Sequence, residues 1–146
     1  MKNTHEILKI ARVYLGLSEK EVCQMTGLSI SEYGDLELYP DEFFDTISIA
    51  QARKICEILK LDLISLIPRD SSLNFINTSA QSKADLVSKS RGILGLSASQ
   101  LADKIGYETT TIEEVETDEK NIEALNISAI LEIAKVLRIE PAKLII

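Results

Sequence analysis

Tryptophan is absent from this 146-residue chain, aromatic residues make up only 5% of it, and it holds three prolines, two cysteines and one histidine. Cys23 and Cys56 are too few for a disulfide framework and too far apart for a CxxC metal or redox motif, which fits a reducing compartment. His5 lies near the N-terminus with no Ser, Cys or Asp arranged around it in a recognisable motif, so neither general-base nor metal work is expected of it. No nucleophile elbow, phosphate loop, zinc spacing or dinucleotide fingerprint is present. The expectation is a non-enzymatic protein with no catalytic residues, no cofactor and no metal site. Long apolar runs are missing too, since none approaches the ~18 residues of a membrane span. Met1-Lys2-Asn3-Thr4-His5-Glu6 carries an acid where a signal peptide would be apolar. A cytoplasmic protein without a membrane partner is therefore expected.

Positive charge is also scarce. Against 16 Lys and Arg stand 23 Asp and Glu, a formal net charge of -7 with a sequence pI near 4.8. Indiscriminate attraction to nucleic acid or to an anionic membrane is not expected of such a chain. The deficit is shared, because residues 1–70 hold 8 basic and 12 acidic residues and residues 71–146 hold 8 and 11. What the chain does have is 45% hydrophobic residues, enough for a buried core and against a disordered state.

The most informative feature is self-similarity. Arg12-Val13-Tyr14-Leu15-Gly16-Leu17-Ser18 recurs as Arg91-Gly92-Ile93-Leu94-Gly95-Leu96-Ser97, an offset of 79 with five identities in seven positions. The register holds at Gly27 and Gly106, Leu36 and Val115, Glu37 and Glu116. After a one-residue slip, Leu59-Lys60-Leu61 falls on Leu137-Arg138-Ile139. This is an internal duplication. It gives a first domain over 1–68, a linker over 69–82 and a second domain over 83–146. The linker opens after Pro68 and is rich in Ser and Asn, although Leu73, Phe75 and Ile76 are able to dock on a domain.

The apolar period and the punctuation are helical in both copies, giving an all-α fold of two tandem five-helix units. In the first copy the helices are expected over 4–15, 18–26, 29–37, 47–59 and 62–67, with Ser18 and Glu21 as a capping box. In the second they are expected over 83–94, 97–105, 108–116, 127–137 and 140–145. Gly27 and Gly106 follow the second helix where a left-handed residue is required, and Ser29 is placed to cap the third.

These residues resemble the Cro- and XRE-type helix-turn-helix domains of phage repressors and their bacterial relatives, twice over. The resemblance rests on Leu17 to Ser29 with Tyr33, Leu36, Glu37 and Ile55 to Leu61, and on Leu96 to Tyr107 with Ile112, Val115, Glu116 and Ile133 to Ile139. In that family the third helix enters the DNA major groove and the start of the second contacts phosphate. The resemblance puts the base-reading positions at Ile30, Ser31, Gly34 and Asp35 in the first copy, and at Thr109, Thr110, Glu113 and Glu114 in the second. Glu19 and Ala98 take the second-helix position where the family often has Gln. None of these is the Arg, Lys, Asn or Gln on which direct readout of purines mainly depends.

The surrounding charge acts in the same direction. Between Lys20 and Arg53 there is no basic residue, while Glu21, Glu32, Asp35, Glu37, Asp41, Glu42 and Asp45 are present. Between Lys104 and Lys120 there is again none, against Glu108, Glu113, Glu114, Glu116, Asp118 and Glu119. Two like charges ~5 Å apart repel by roughly 3 kcal/mol at an effective dielectric of about 20. A single acidic run is ordinarily a solvated face. Two at matching positions, on the surface the family uses for binding, point to an acidic interface for a basic protein. The candidate partner-binding residues are Glu32, Asp35, Asp41, Glu42, Glu108, Glu113, Glu114 and Asp118. The expected biological form is an immunity protein or antitoxin that neutralises a basic toxin such as a nuclease. The alternative is a DNA-binding transcriptional regulator using Ile30, Ser31, Gly34, Thr109 and Thr110 with basic residues outside the third helices, such as Lys9, Arg12, Lys83, Lys89 and Arg91. A third reading is a structural or dimerisation module.

Structural roles are expected elsewhere. Cys23 and Cys56 match Ala102 and Ala134 and read as buried. Tyr33 matches Ile112 and reads as core. Arg12 with Glu37, and Arg91 with Glu116, read as repeated ion pairs. Tyr39, Phe43 and Phe44, between the third and fourth expected helices, either cover the core or meet a partner.

Overall fold

A computed structural model describes residues 3–69 and 74–146. The chain divides into two compact units, Met1–Pro68 and Arg69–Ile146. The first carries α1 (Thr4–Tyr14), α2 (Glu19–Thr26), α3 (Ile30–Leu38), α4 (Glu42–Asp45), α5 (Ile49–Leu59) and α6 (Leu63–Leu66). The second carries α7 (Lys83–Ile93), α8 (Ala98–Ile105), α9 (Thr109–Thr117), α10 (Glu119–Glu123), α11 (Ile127–Leu137) and α12 (Ala142–Ile145). Each unit thus has six helices among the described residues where the sequence pattern marks five. The additional ones, α4 and α10, are single turns in the loop after the third helix, too short to express a 3.6-residue period.

The helix starts are fixed locally. Ser18 N–H donates to the Glu21 carboxylate at 2.8 Å and its hydroxyl accepts from Glu21 N–H at 3.1 Å. Ser97 and Gln100 repeat this at α8, with 2.8 and 3.0 Å. Each such box satisfies two backbone donors that the helix itself leaves unpaired. At the other end, Gly27 (φ 79°) and Gly106 (φ 74°) take the left-handed conformation that stops α2 and α8 without a Cβ penalty. The apolar stripes then face inward. Leu8, Val22, Tyr33, Leu36, Phe43, Ile49 and Ile55 are fully buried in the first unit, and Leu101, Ile112, Ile127 and Leu137 in the second. Ile112 stands where the first unit has Tyr33, and the second unit's deep core is aliphatic throughout. Cys23 and Cys56 are buried, as are Ala102 and Ala134 at their matched positions. Phe43 is buried and packs edge-on against the half-buried Phe44, with ring centroids 5.6 Å apart, whereas Tyr39 is exposed.

One polar contact is built the same way in both units. Arg12 Nε and Nη2 donate to the two Glu37 oxygens at 2.5 and 3.0 Å, and Nη1 donates to the Leu17 carbonyl at 2.9 Å. Arg91 does the same to Glu116 at 2.5 and 2.9 Å, and to the Leu96 carbonyl at 2.9 Å. The fork of a guanidinium matches a carboxylate in two parallel bonds, so the pair fixes orientation as well as distance. It ties the first helix of each unit to the third and to the turn before the second.

The stretch expected to be a linker over 69–82 is in part a built element of the second unit. Leu73 lies outside the described residues. From Asn74 onward the chain is anchored, with Ile76 N–H donating to the Arg138 carbonyl at 2.8 Å and Lys143 Nζ to Asn77 Oδ1 at 3.4 Å. Lys89 Nζ donates to the Ser79 carbonyl at 3.3 Å. Burial alternates along this arm, Ile76 and Thr78 being half-buried and Phe75, Asn77 and Ser79 exposed, which is the period of an extended chain. Its polar composition resembles a linker because only alternate residues are covered.

Two outcomes follow. Arg12→Ala should destabilise the chain by about 3 kcal/mol in urea unfolding, because it leaves the Glu37 carboxylate buried without its partner. Arg91→Ala should cost less, since that pair is 22% and 12% exposed against 11% and 5% for Arg12 and Glu37. Arg12→Met with Glu37→Leu should regain most of the loss; a cost under about 1 kcal/mol for Arg12→Ala would show the pair to be screened like a surface bridge. Burial also pushes the Cys56 thiol up from 9.0 to about 12. The folded state therefore resists ionisation, and the stability tied to this group is present below pH 9 and lost as pH rises toward 12. Cys56→Ala, which copies Ala134, should flatten that alkaline loss, and Cys56 should alkylate at pH 8 only as fast as the chain unfolds.

Candidate functional site

The third helix of each unit presents one buried and one open stripe. On α9 the residues Thr110, Glu113, Glu114 and Thr117 are all exposed, at the i, i+3, i+4, i+7 spacing of a single face, while Ile112 and Val115 are buried. On α3 the same face holds Ile30, Ser31 and Leu38 exposed, with Gly34 and Asp35 half-buried, over buried Tyr33, Leu36 and Glu37. The two faces are related by the offset of 79 and share one acid, Asp35 matched to Glu114, whereas Gly34 matches Glu113 and Glu32 matches Thr111.

The acids of the expected interface differ in what else they do. Glu32 is exposed, yet its carboxylate accepts from Ser29 N–H at 2.8 Å while Ser29 Oγ accepts from Glu32 N–H at 3.0 Å, so it serves the start of α3. Asp118 is exposed and caps α10, accepting from Lys120 N–H at 2.9 Å. Glu108 takes the N-cap position of α9, matched to Ser29, without a side-chain capping bond. Asp41 is exposed at the start of α4 and Glu42 is half-buried in it. Glu113 and Glu114 have exposed side chains on the open stripe of α9. Of the positions considered for base contact, Ile30, Ser31 and Thr110 are exposed and Gly34 and Thr109 half-buried.

One carboxylate of this surface is named from the sequence only as the second-helix position and not among the acids of the interface. Glu19, at the start of α2, reaches across to α3, where its Oε2 lies 3.9 Å from the place a Gly34 Cβ would occupy. It also sits 3.8 Å from Arg12 Nη2. Its position was visible in the sequence, but its approach to Gly34 depends on how α2 packs on α3. A side chain at 34 would meet it at ordinary contact distance, and in the second unit the matched pair is Ala98 and Glu113.

The framework cations are largely occupied. Arg12 and Arg91 are bound to Glu37 and Glu116, and these hydrogen bonds hold both guanidinium groups above their ordinary pKa. Lys83 pairs with Glu123 at 3.3 Å and Lys89 with Asp85 at 3.0 Å. Lys9 is exposed. Among the described residues no group of three or more His, Cys, Asp and Glu is placed to hold a metal ion, and no helix is long and apolar enough to cross a membrane. His5 is half-buried with Nδ1 unpartnered, and burial, with the Glu37 carboxylate beside it, pushes the Tyr33 phenol well above its usual range. No protein-family model, curated protein or solved structure matches the chain.

The division of labour among these acids is open to measurement. Ser29→Ala should cost about 1 kcal/mol by removing the α3 cap, and Glu32→Ala should destabilise in the same direction. Glu113→Ala and Glu114→Ala should stay within ~0.5 kcal/mol of the parent in thermal or urea unfolding. A loss at Glu114 as large as that at Ser29 would assign the α9 carboxylates to the fold and not to a surface left free for a partner.

Proposed function

We propose that the chain is a non-enzymatic protein-binding module in which two tandem phage-repressor-like helix-turn-helix units present acidic faces to a basic protein. The biological form we favour is an immunity protein or antitoxin that neutralises a cationic toxin such as a nuclease. The observation that carries this reading is the pairing of two facts. The open stripe of α9 holds the exposed carboxylates Glu113 and Glu114 and that of α3 the half-buried Asp35, and the framework cations Arg12 and Arg91 are already bound to Glu37 and Glu116.

A DNA ligand needs several Lys or Arg contacts to phosphate, each releasing counterions. Of the cations named for that reading, Arg12, Arg91, Lys83 and Lys89 are each engaged within the fold, and Lys9 is exposed. For a basic protein the same surface is suitable. Carboxylates on a rigid helix steer encounter with a cationic patch and stand in for the phosphates that a nuclease is built to hold. Exposed Ile30, Leu38 and Tyr39, on or beside the first face, supply the apolar and aromatic area that interface centres require.

The test is a titration of the full chain against mixed duplex DNA at low salt, beside association kinetics with cationic nuclease domains. DNA binding should stay at a weak non-specific level. Association with the cationic partner should slow steeply with salt, and Asp35→Lys, Glu113→Lys and Glu114→Lys together should slow it by at least about tenfold with circular dichroism unchanged. Sub-micromolar, salt-sensitive DNA binding overturns the proposal, and so does partner capture that survives the triple reversal.

A further inference from the structure

The duplication supplies an internal comparison on a different surface, the groove between the first helix of each unit and the end of the fifth. In the second unit the arm Asn74–Ser79 lies along it, through the bonds of Ile76 to the Arg138 carbonyl at 2.8 Å and of Lys89 to the Ser79 carbonyl at 3.3 Å. The floor beneath is closed: Leu86 is 6% exposed, Ser90 2% and Ile139 1%. In the first unit, where description begins at Asn3, the matched residues Ile7, Ala11 and Leu61 are all half-buried, and Leu15 is 37% exposed. They line an open groove of about 480 Å³ together with Ile10 and Tyr14, which are 48% and 88% exposed. Lys60, matched to Arg138, ends α5 in the same left-handed conformation, φ 58° against 56°. The backbone carbonyl that receives the arm in the second unit thus has a counterpart of the same geometry in the first.

We propose that the first unit's groove binds an extended apolar peptide segment of a partner protein, in the way the second unit binds its own arm. The occupant follows from that arm. It is an extended stretch with alternate side chains turned inward, at the places of Ile76 and Thr78, and with a backbone N–H directed to the Lys60 carbonyl. The floor and rim then say how it differs. Ser90 is replaced by Ala11, Lys89 by Ile10, and Lys143, which bonds Asn77, by Ser65. Both lysine bonds to Asn74–Ser79 are thereby lost while the carbonyl is kept, and Ile10 and Ala11 add apolar surface, so the first groove favours a segment more apolar than the arm itself. Tyr14 at the rim offers a ring edge and a hydroxyl of the kind enriched where peptides dock.

The probe is a synthetic peptide of residues 74–81 with Thr78→Val, titrated to about 1 mM into the ¹⁵N-labelled full chain and followed by amide shifts. Saturable shifts at Ile7, Ile10, Tyr14, Lys60 and Leu61 are expected, with weaker binding of the unaltered peptide. Ile10→Glu should abolish them; Tyr14→Ser, at a residue that makes little packing contact of its own, should weaken binding severalfold if Ile10→Glu disturbs the helix. No shifts at these amides at the highest concentration overturns the proposal. Shifts confined to the second unit overturn it as well, because the peptide then merely displaces the arm. Concentration-dependent self-association of the unliganded chain that Ile10→Glu abolishes also overturns it, by assigning the groove to a second copy.

Discussion

The bidentate pair of Arg12 with Glu37, and its duplicate of Arg91 with Glu116, is the constraint on which the rest of each unit depends. Both partners lie 25 residues apart in sequence, and each guanidinium spends its third contact on a carbonyl of the turn before the second helix. The pair therefore sets three elements at once: the first helix, the turn and the third helix. Its geometry does this more sharply than apolar packing can, because two parallel hydrogen bonds tolerate little rotation. Closing the pair withdraws one cation and one carboxylate together from any ligand, so the unit's outward net charge is unchanged and its exposed acids lose that cation as a neighbour.

That withdrawal is what gives the acidic helices their meaning. An exposed glutamate beside a free arginine is electrically neutral at a Debye length; one whose neighbouring arginine is tied down is not. The acids nevertheless fall into two groups. Glu21, Glu32 and Asp118 spend their oxygens on backbone donors at helix starts. Glu113 and Glu114 stand on the open stripe of α9, and Glu19 leans over Gly34 toward α3. The functional reading rests on the second group. The first would be present in any well-capped helical protein.

Duplication followed by divergence explains the pattern of likeness and difference. Positions that hold the units together are kept in kind: the Arg–Glu pair, the left-handed glycines, the serine cap of the second helix. Core positions keep their burial and change their shape, Tyr33 against Ile112 and the cysteines against alanines. The surfaces have moved furthest. The open stripes share only the acid at Asp35 and Glu114, and the groove beside the first helix is roofed by the chain's own arm in one unit and open in the other.

Most of the architecture was legible without coordinates because it is written in local terms. Caps, a left-handed residue after a helix and a 3.6-residue apolar stripe are properties of neighbours in sequence, and the repeat made each of them visible twice. The repeat even disclosed the Arg–Glu pairing, since two residues preserved together at a fixed offset are natural partners. The single-turn helices α4 and α10 were not legible, being four and five residues long, too short for an apolar period to repeat. Nor was the arm, whose Ser- and Asn-rich composition is that of a linker until alternate residues are seen to be covered. The reach of Glu19 to Gly34 and the occupation of Lys83 and Lys89 were likewise decided by packing. Sequence alone thus fixed the helices, the duplication and the sign of the charge. Only the tertiary structure decided which charges are spent inside the fold and which groove stands open, because both depend on distances between residues that the chain brings together from far apart.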